Sequence, residues 1–173
     1  DSRVSLIRQE NAGLSEARNT GVGRARGEFI LLLDSDDLLL GDTLADIARA
    51  CSRGPDVVAI SGVKVTSTGR IPLRERGREV KPRAEQGKSF LLSELLQESP
   101  NMMAPLYLYR RRFLVANGFR FKAGILHEDE EWTPRVLIAA DSVLACEAEA
   151  YGYRVRPGSI TQRSNRERRA RDI

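Results

Sequence analysis

Gly27-Glu28-Phe29-Ile30-Leu31-Leu32-Leu33-Asp34-Ser35-Asp36-Asp37 is the stretch that decides how this chain is read. Its apolar run breaks off at Leu33, and three of the next four residues are acids. A run apolar on both faces predicts a buried, parallel strand held between helical layers. Open α/β sheets bind ligands just beyond the carboxyl ends of their strands, so the acids at that end form the first candidate site. Acids so close together repel unless something positive lies among them. A divalent cation that prefers hard oxygen ligands, Mg²⁺ or Mn²⁺, would relieve the repulsion and bridge to substrate phosphates. A solvated turn, with Asp34 or Asp37 capping the next helix, accounts for the same residues. The residues alone leave both readings open.

Working outward, Val4-Ser5-Leu6-Ile7 predicts a short strand, broken by Asn11-Ala12-Gly13. Leu14, Ala17, Gly21, Val22 and Ala25 recur at helical spacing, with Ser15 as a cap and Gly27 as the stop. Gly21-Val22-Gly23-Arg24-Ala25-Arg26-Gly27 is glycine-rich, but it ends a helix and precedes a strand. A dinucleotide loop requires the reverse order. Beyond the acids, Asp42 predicts the cap of a helix whose Leu44, Ile47, Ala48 and Cys51 share a face. Asp56 to Val65 reads as a strand, followed by a polar Gly/Pro/Arg stretch to about residue 87. A helix is expected over Phe90 to Leu96, a strand at Leu106 to Tyr109 and a short helix at Phe113 to Ala116. Glu128 to Ala140 reads as a helix, with acids in the first turn and Pro134 near its start. Val143 to Cys146 and Tyr151 to Val155 read as closing strands. Alternating strands and helices make the fold class α/β.

The chain's 173 residues and 41% hydrophobic content suit one globular domain with a real core. The apolar run at Phe29 is far too short to span a bilayer. Cys51 and Cys146 form neither a disulfide framework nor a metal motif, and no secretory signal opens the chain. The expectation is a soluble, cytoplasmic protein. The formal charge is +4, but Lys64–Lys88 and Arg154–Ile173 carry net +5 each, which leaves the remainder acidic. Such segments suit anionic partners. More often such an Arg/Glu mixture is a solvated loop or surface face, and the absence of interleaved aromatics argues against nucleic acid.

His127-Glu128-Asp129-Glu130-Glu131 is the second acidic cluster. Acids at a helix start favour the helix dipole, and crowding also allows one of them a raised pKa and a role as a base. His127 is the only histidine, so no H-E-x-x-H zinc site exists. The two acidic clusters are far apart in sequence, and only the fold can unite them.

Taken together, Asn11 to Gly21, Gly27 to Asp37, and Leu126 to Glu130 with Thr133 to Leu137 resemble the motifs of glycosyltransferase family 2. Tyr151 to Thr161 is similar to the closing segment of its bacterial polysaccharide-building members. The resemblance spans residues 4 to 161, with the motifs in order. It implies a GT-A-like, layered α/β/α fold with a mixed sheet. It also implies an inverting transfer of sugar from a nucleotide-diphosphate donor, a UDP-sugar by preference, to the hydroxyl of a saccharide or lipid-linked acceptor. By the same resemblance Asp36 and Asp34 hold the metal. Asn11, Gly13, Arg18 and Asp34 bind substrate, and Asp129 is the general base, with Glu128 beside it. Members usually begin with a βαβ unit that residues 1–10 do not match. The expected layout is therefore an N-terminally truncated catalytic domain over 1–161, then a basic tail over 162–173 that can touch the cytosolic face of a membrane. Two other classes remain in view: an arginine-rich phosphate- or nucleic-acid-binding module, and a metal-dependent phosphatase with Asp34 as nucleophile.

Overall fold

The computed structural model describes residues 1–73, 84–97 and 100–155. Most of the basic segment after Pro72, all of the tail, and the expected boundary at 161 lie outside the described residues. The elements are α1 (Gly13–Arg24), β1 (Phe29–Leu31), β2 (Leu38–Leu39), α2 (Leu44–Cys51), β3 (Val57–Thr66) and β4 (Gly69–Pro72). They continue with α3 (Gly87–Leu95), β5 (Tyr107–Arg110), α4 (Arg111–Ala116), α5 (Glu128–Ala139) and β6 (Val143–Arg154). One mixed sheet has the order β1-β5-β3-β6-β2, with β4 as a hairpin partner of β3. Among the described residues only β3 and β6 pair in parallel; the other pairs are antiparallel.

Val57, Val58, Ala59 and Ile60 of β3 are all buried. Successive side chains on a strand point to opposite faces, so both faces of the sheet centre are covered. β6 follows β3 in register from Val57↔Val143 to Ala59↔Ala145, then again from Gly62↔Tyr151 to Val65↔Arg154. Between these stretches Ser61 pairs with Glu149, and the register shifts on either side of that pair. The two expected closing strands are therefore one bulged strand, because a bulge interrupts the ladder without ending the strand. Trp132 on α5 sits at the centre of the core, edge-on to Tyr109 and stacked on Phe121 with ring centroids 3.8 Å apart. α3 packs on α5 through Gly87, where a Cβ would overlap the Leu137 carbonyl.

Several expectations need correcting. Phe29–Leu31 is an antiparallel strand at one end of the sheet order, and only Ile30 of the three is buried. The apolar run reports burial, but nothing in it encodes strand direction. Val4 to Ile7 forms no strand, and Val4 and Leu6 are exposed. Among the described residues no strand lies beside the segment to take its N–H and C=O groups. Neither Ser15 nor Gly27 caps α1: Ala12 precedes the helix and Ala25 ends it. Nor is the buried face of α1 the apolar one. Leu14 is exposed, while Ser15, Arg18 and Asn19 are buried, because this helix faces carboxylates. On α2, Thr43 rather than Asp42 stands at the N-cap, and Ile47 and Ala50 point inward.

The sheet directions place the acidic turn. β1, β3 and β6 run one way, while β5 and β2 run the other. The chain leaves the carboxyl end of β1 at one edge and enters β2 at the other. Leu32 to Asp37 therefore crosses the carboxyl ends of the parallel-running strands, where α/β sheets bind ligands.

Candidate active site

The site is assembled around Arg18. Asn11 Oδ1 accepts the Gly13 N–H at 3.1 Å, and Gly13 takes φ +84°, a conformation that suits glycine. This turn starts α1 and directs Ser15, Arg18 and Asn19 inward. The Arg18 side chain is only 6% exposed. Its Nη1 donates to Glu128 Oε1 at 2.7 Å and also to Asp129 Oδ1. Its Nη2 donates to Asp34 Oδ1 at 2.9 Å and Oδ2 at 3.2 Å. One guanidinium thus joins the two acidic clusters that sequence spacing left apart. Burial disfavours its charge, but Asp129, Asp34 and Glu128 outweigh that and raise its proton affinity.

The surroundings fix this cation. Its Cζ lies 5.2 Å from the centroid of the Phe121 ring, which also stacks on Trp132. Asn19 clamps the Phe121 backbone: Nδ2 donates to the carbonyl at 3.0 Å, and Oδ1 accepts the N–H at 2.7 Å. Arg18 and Asn19 are adjacent on α1, so one helix holds both the charge and its aromatic support.

Asp129 lies in the first turn of α5. His127, just before the helix, has φ +58°, the only positive φ at a non-glycine among the described residues. Its carbonyl accepts the Glu130 N–H at 2.9 Å, which closes the first turn. Asp129 Oδ2 accepts the Ala104 N–H at 3.1 Å, and Thr133 Oγ1 donates to the Met102 carbonyl at 2.7 Å. Residues 102–104 are therefore tied to α5 beside the carboxylate. Burial pushes the Asp129 carboxyl up to about 6, although Arg18 opposes the shift. A part-buried carboxylate with an affinity near neutrality is a competent proton acceptor. Glu128 is more deeply buried and is engaged with Arg18.

In the acidic turn, the Asp37 N–H donates to the Asp34 carbonyl at 3.0 Å. Asp37 accepts from the Tyr151 hydroxyl and, at 2.9 Å, from the Arg154 N–H. Burial raises its carboxyl against the pull of both bonds. Asp36 is half-buried within the same turn. The structure thus brings Arg18, Asp34, Glu128 and Asp129 into direct contact, with Asp36 in the adjoining turn. It leaves Asn11 and Gly13 at the exposed start of α1. Asn19, Phe121, Ala104 and Tyr151 escaped the sequence reading. The one legible signal was the spacing of Ser15, Arg18, Asn19 and Val22, a helical face that is mostly polar.

Comparisons with known proteins give the family and the fold of the chain. Residues 1–116 match the profile described as glycosyl transferase family 2. The succinoglycan biosynthesis protein ExoO of Rhizobium meliloti is 31% identical over 169 residues, covering 94% of this chain and 48% of that protein. Glycosyltransferase GlyA of Streptococcus pneumoniae is 28% identical over 170 residues, 94% of this chain and 24% of that one. The chain spans about half the length, or less, of these curated relatives. Among solved structures, Staphylococcus aureus TarS 1-349 in complex with UDP-GlcNAc superposes with a TM-score of 0.67 at 24% identity. That match covers 90% of this chain and 42% of the TarS chain, and it shows a shared fold. The ordered motifs, the mixed GT-A sheet with acids across its strand ends, and the matching profile together establish that the chain belongs to glycosyl transferase family 2.

Proposed function

We propose that this site transfers a sugar from a nucleotide-diphosphate donor, a UDP-sugar by preference, to the hydroxyl of a saccharide or lipid-linked acceptor, with inversion. The observation that carries the reading is the Asp129 carboxylate, part-buried at the start of α5 and oriented by Ala104 and Arg18. It stands across that arginine from Asp34 in the turn over the strand ends. Support comes from family membership and from the TarS structures in complex with UDP-GlcNAc and with UDP.

In this reading Asp129 takes the acceptor hydroxyl's proton as that oxygen attacks the anomeric carbon. The bond from carbon to the diphosphate oxygen breaks, and the nucleoside diphosphate leaves. A single displacement of this kind inverts the anomeric centre, as in inverting glycosidases. Glu128 and Asp34 hold Arg18, and Arg18 holds Asp129 in position. Among the described residues no three His, Cys, Asp or Glu side chains form a metal cage. Mg²⁺ and Mn²⁺ are commonly held by one or two carboxylates together with substrate phosphates. Asp36 with Asp34 would hold the ion, which supplies charge neutralisation on the departing diphosphate. Among the described residues no helix is long and apolar enough to cross a membrane.

The test is Asp129→Asn, which keeps the shape and removes the base. Transfer from UDP-sugar should fall by about 10²-fold or more while the melting curve is retained, and NMR of the wild-type product should show the inverted anomer. Wild-type-like turnover in the variant, or a retained anomer, would refute the assignment.

A further inference from the structure

Asp37 and Tyr151 have no part in the chemistry above, yet they meet at the end of the turn that carries Asp34 and Asp36. We propose that they form a brace that sets the donor-binding turn in place, making both positioning residues for donor affinity. The inference deepens the functional reading and rests on it for the identity of the ligand.

The turn needs such a device. It crosses from β1 at one edge of the sheet to β2 at the other, and β2 contributes only Leu38 and Leu39, paired with Gly152 and Tyr151. At its first acid, Asp34 is held by Arg18. At its last, Asp37 accepts the Tyr151 hydroxyl and the Arg154 N–H, both from the end of β6. The Asp37 N–H closes the turn onto the Asp34 carbonyl. Asp36 therefore lies between two anchored residues. The Tyr151 ring is fully buried, so its hydroxyl is a rigid donor. A hydrogen bond to a charged group from a rigid donor gives both strength and direction.

A diphosphate and its cation impose tight geometry on the carboxylates that receive them. A turn that is already ordered binds them without the entropic cost of ordering. The brace therefore acts on donor binding and not on the proton transfer at Asp129.

The test uses Tyr151→Phe in the full chain, which removes only the hydroxyl and leaves the buried ring. Two readouts are compared with wild type: amide hydrogen exchange of the free protein, and calorimetric affinity for UDP with Mn²⁺. The Asp37 amide should exchange about tenfold faster, as expected for loss of a hydrogen bond to a charged group, while the β3–β6 amides remain protected. UDP affinity should weaken by about tenfold, and donor KM should rise with kcat nearly unchanged. If Tyr151→Phe fails to fold, Asp37→Asn is measured in the same way. Wild-type protection of the Asp37 amide overturns the brace. So does lost protection with unchanged UDP affinity, which would leave a purely structural contact. Failure of the wild-type chain to bind UDP would overturn the functional reading and with it the brace's role in donor affinity, whereas wild-type protection of the Asp37 amide in Tyr151→Phe would overturn the brace alone.

Discussion

Replacing Arg18 with Met would leave Asp34, Glu128 and Asp129 without the cation that joins them, while keeping most of the apolar stem. The arginine side chain is 6% exposed, and the carboxylates range from 10% for Glu128 to 27% for Asp34. Removing one partner from a buried ionic cluster costs about 3–5 kcal/mol, because the remaining charges stay desolvated and repel one another. With an unfolding entropy of about 2.1 cal/mol/K per residue, a chain of 173 residues should lose about 8 °C or more in Tm. The loss should also depend on pH. Asp129 already titrates near 6 because burial raises it, and without Arg18 it titrates higher still. A carboxyl raised in the folded state binds its proton more tightly there than in the unfolded chain, so stability falls as pH rises through that interval. The Arg18→Met defect is therefore larger at pH 7.5 than at pH 5, where Asp129 is neutral in the variant. Thermal unfolding followed by circular dichroism at both pH values measures it. A Tm within 2 °C of wild type at pH 7.5, or equal losses at both pH values, would refute the reasoning.

Three further outcomes follow from the same geometry. In wild type, kcat/KM for transfer should rise about tenfold per pH unit below about 6 and level off above it, as the base loses its proton. Arg18→Met should move that inflection upward, since the guanidinium charge is what opposes the shift; a pH–rate profile reads both. Gly87→Ala places a methyl group against the Leu137 carbonyl where α3 crosses α5. Overpacking of this kind costs about 1–3 kcal/mol, seen as a lower urea midpoint with an unchanged m-value.

How far the sequence foretold this structure depends on the range of the interaction concerned. β3, α3, β5 and α5 were legible because apolar spacing and first-turn acids act within a few residues. The motifs placed Asp34, Asp36 and Asp129 at one site only through resemblance, because the chemical link between them is Arg18, distant from Asp129 in sequence. The Phe29 run was legible as a strand, but its antiparallel pairing with Tyr107–Arg110 belongs to the partner. α1 misled in an informative way: its apolar residues suggested a core-facing stripe, yet it buries Ser15, Arg18 and Asn19 against acids and the Phe121 backbone. Tyr151 gave no signal, since an aromatic in a buried strand is ordinary until its hydroxyl is seen on Asp37.

The central claim is a nucleotide-diphosphate site at the acidic turn, and ligand-dependent stability tests it most directly. Thermal unfolding of the 173-residue chain is compared with and without UDP plus Mn²⁺, alongside Asp36→Asn. At about 100 times Kd the ligand should add about 2.7 kcal/mol, equivalent to about 7 °C at this chain length. The account predicts that the shift requires Mn²⁺ and is lost in Asp36→Asn. No shift in wild type, or an equal shift in Asp36→Asn, would contradict it.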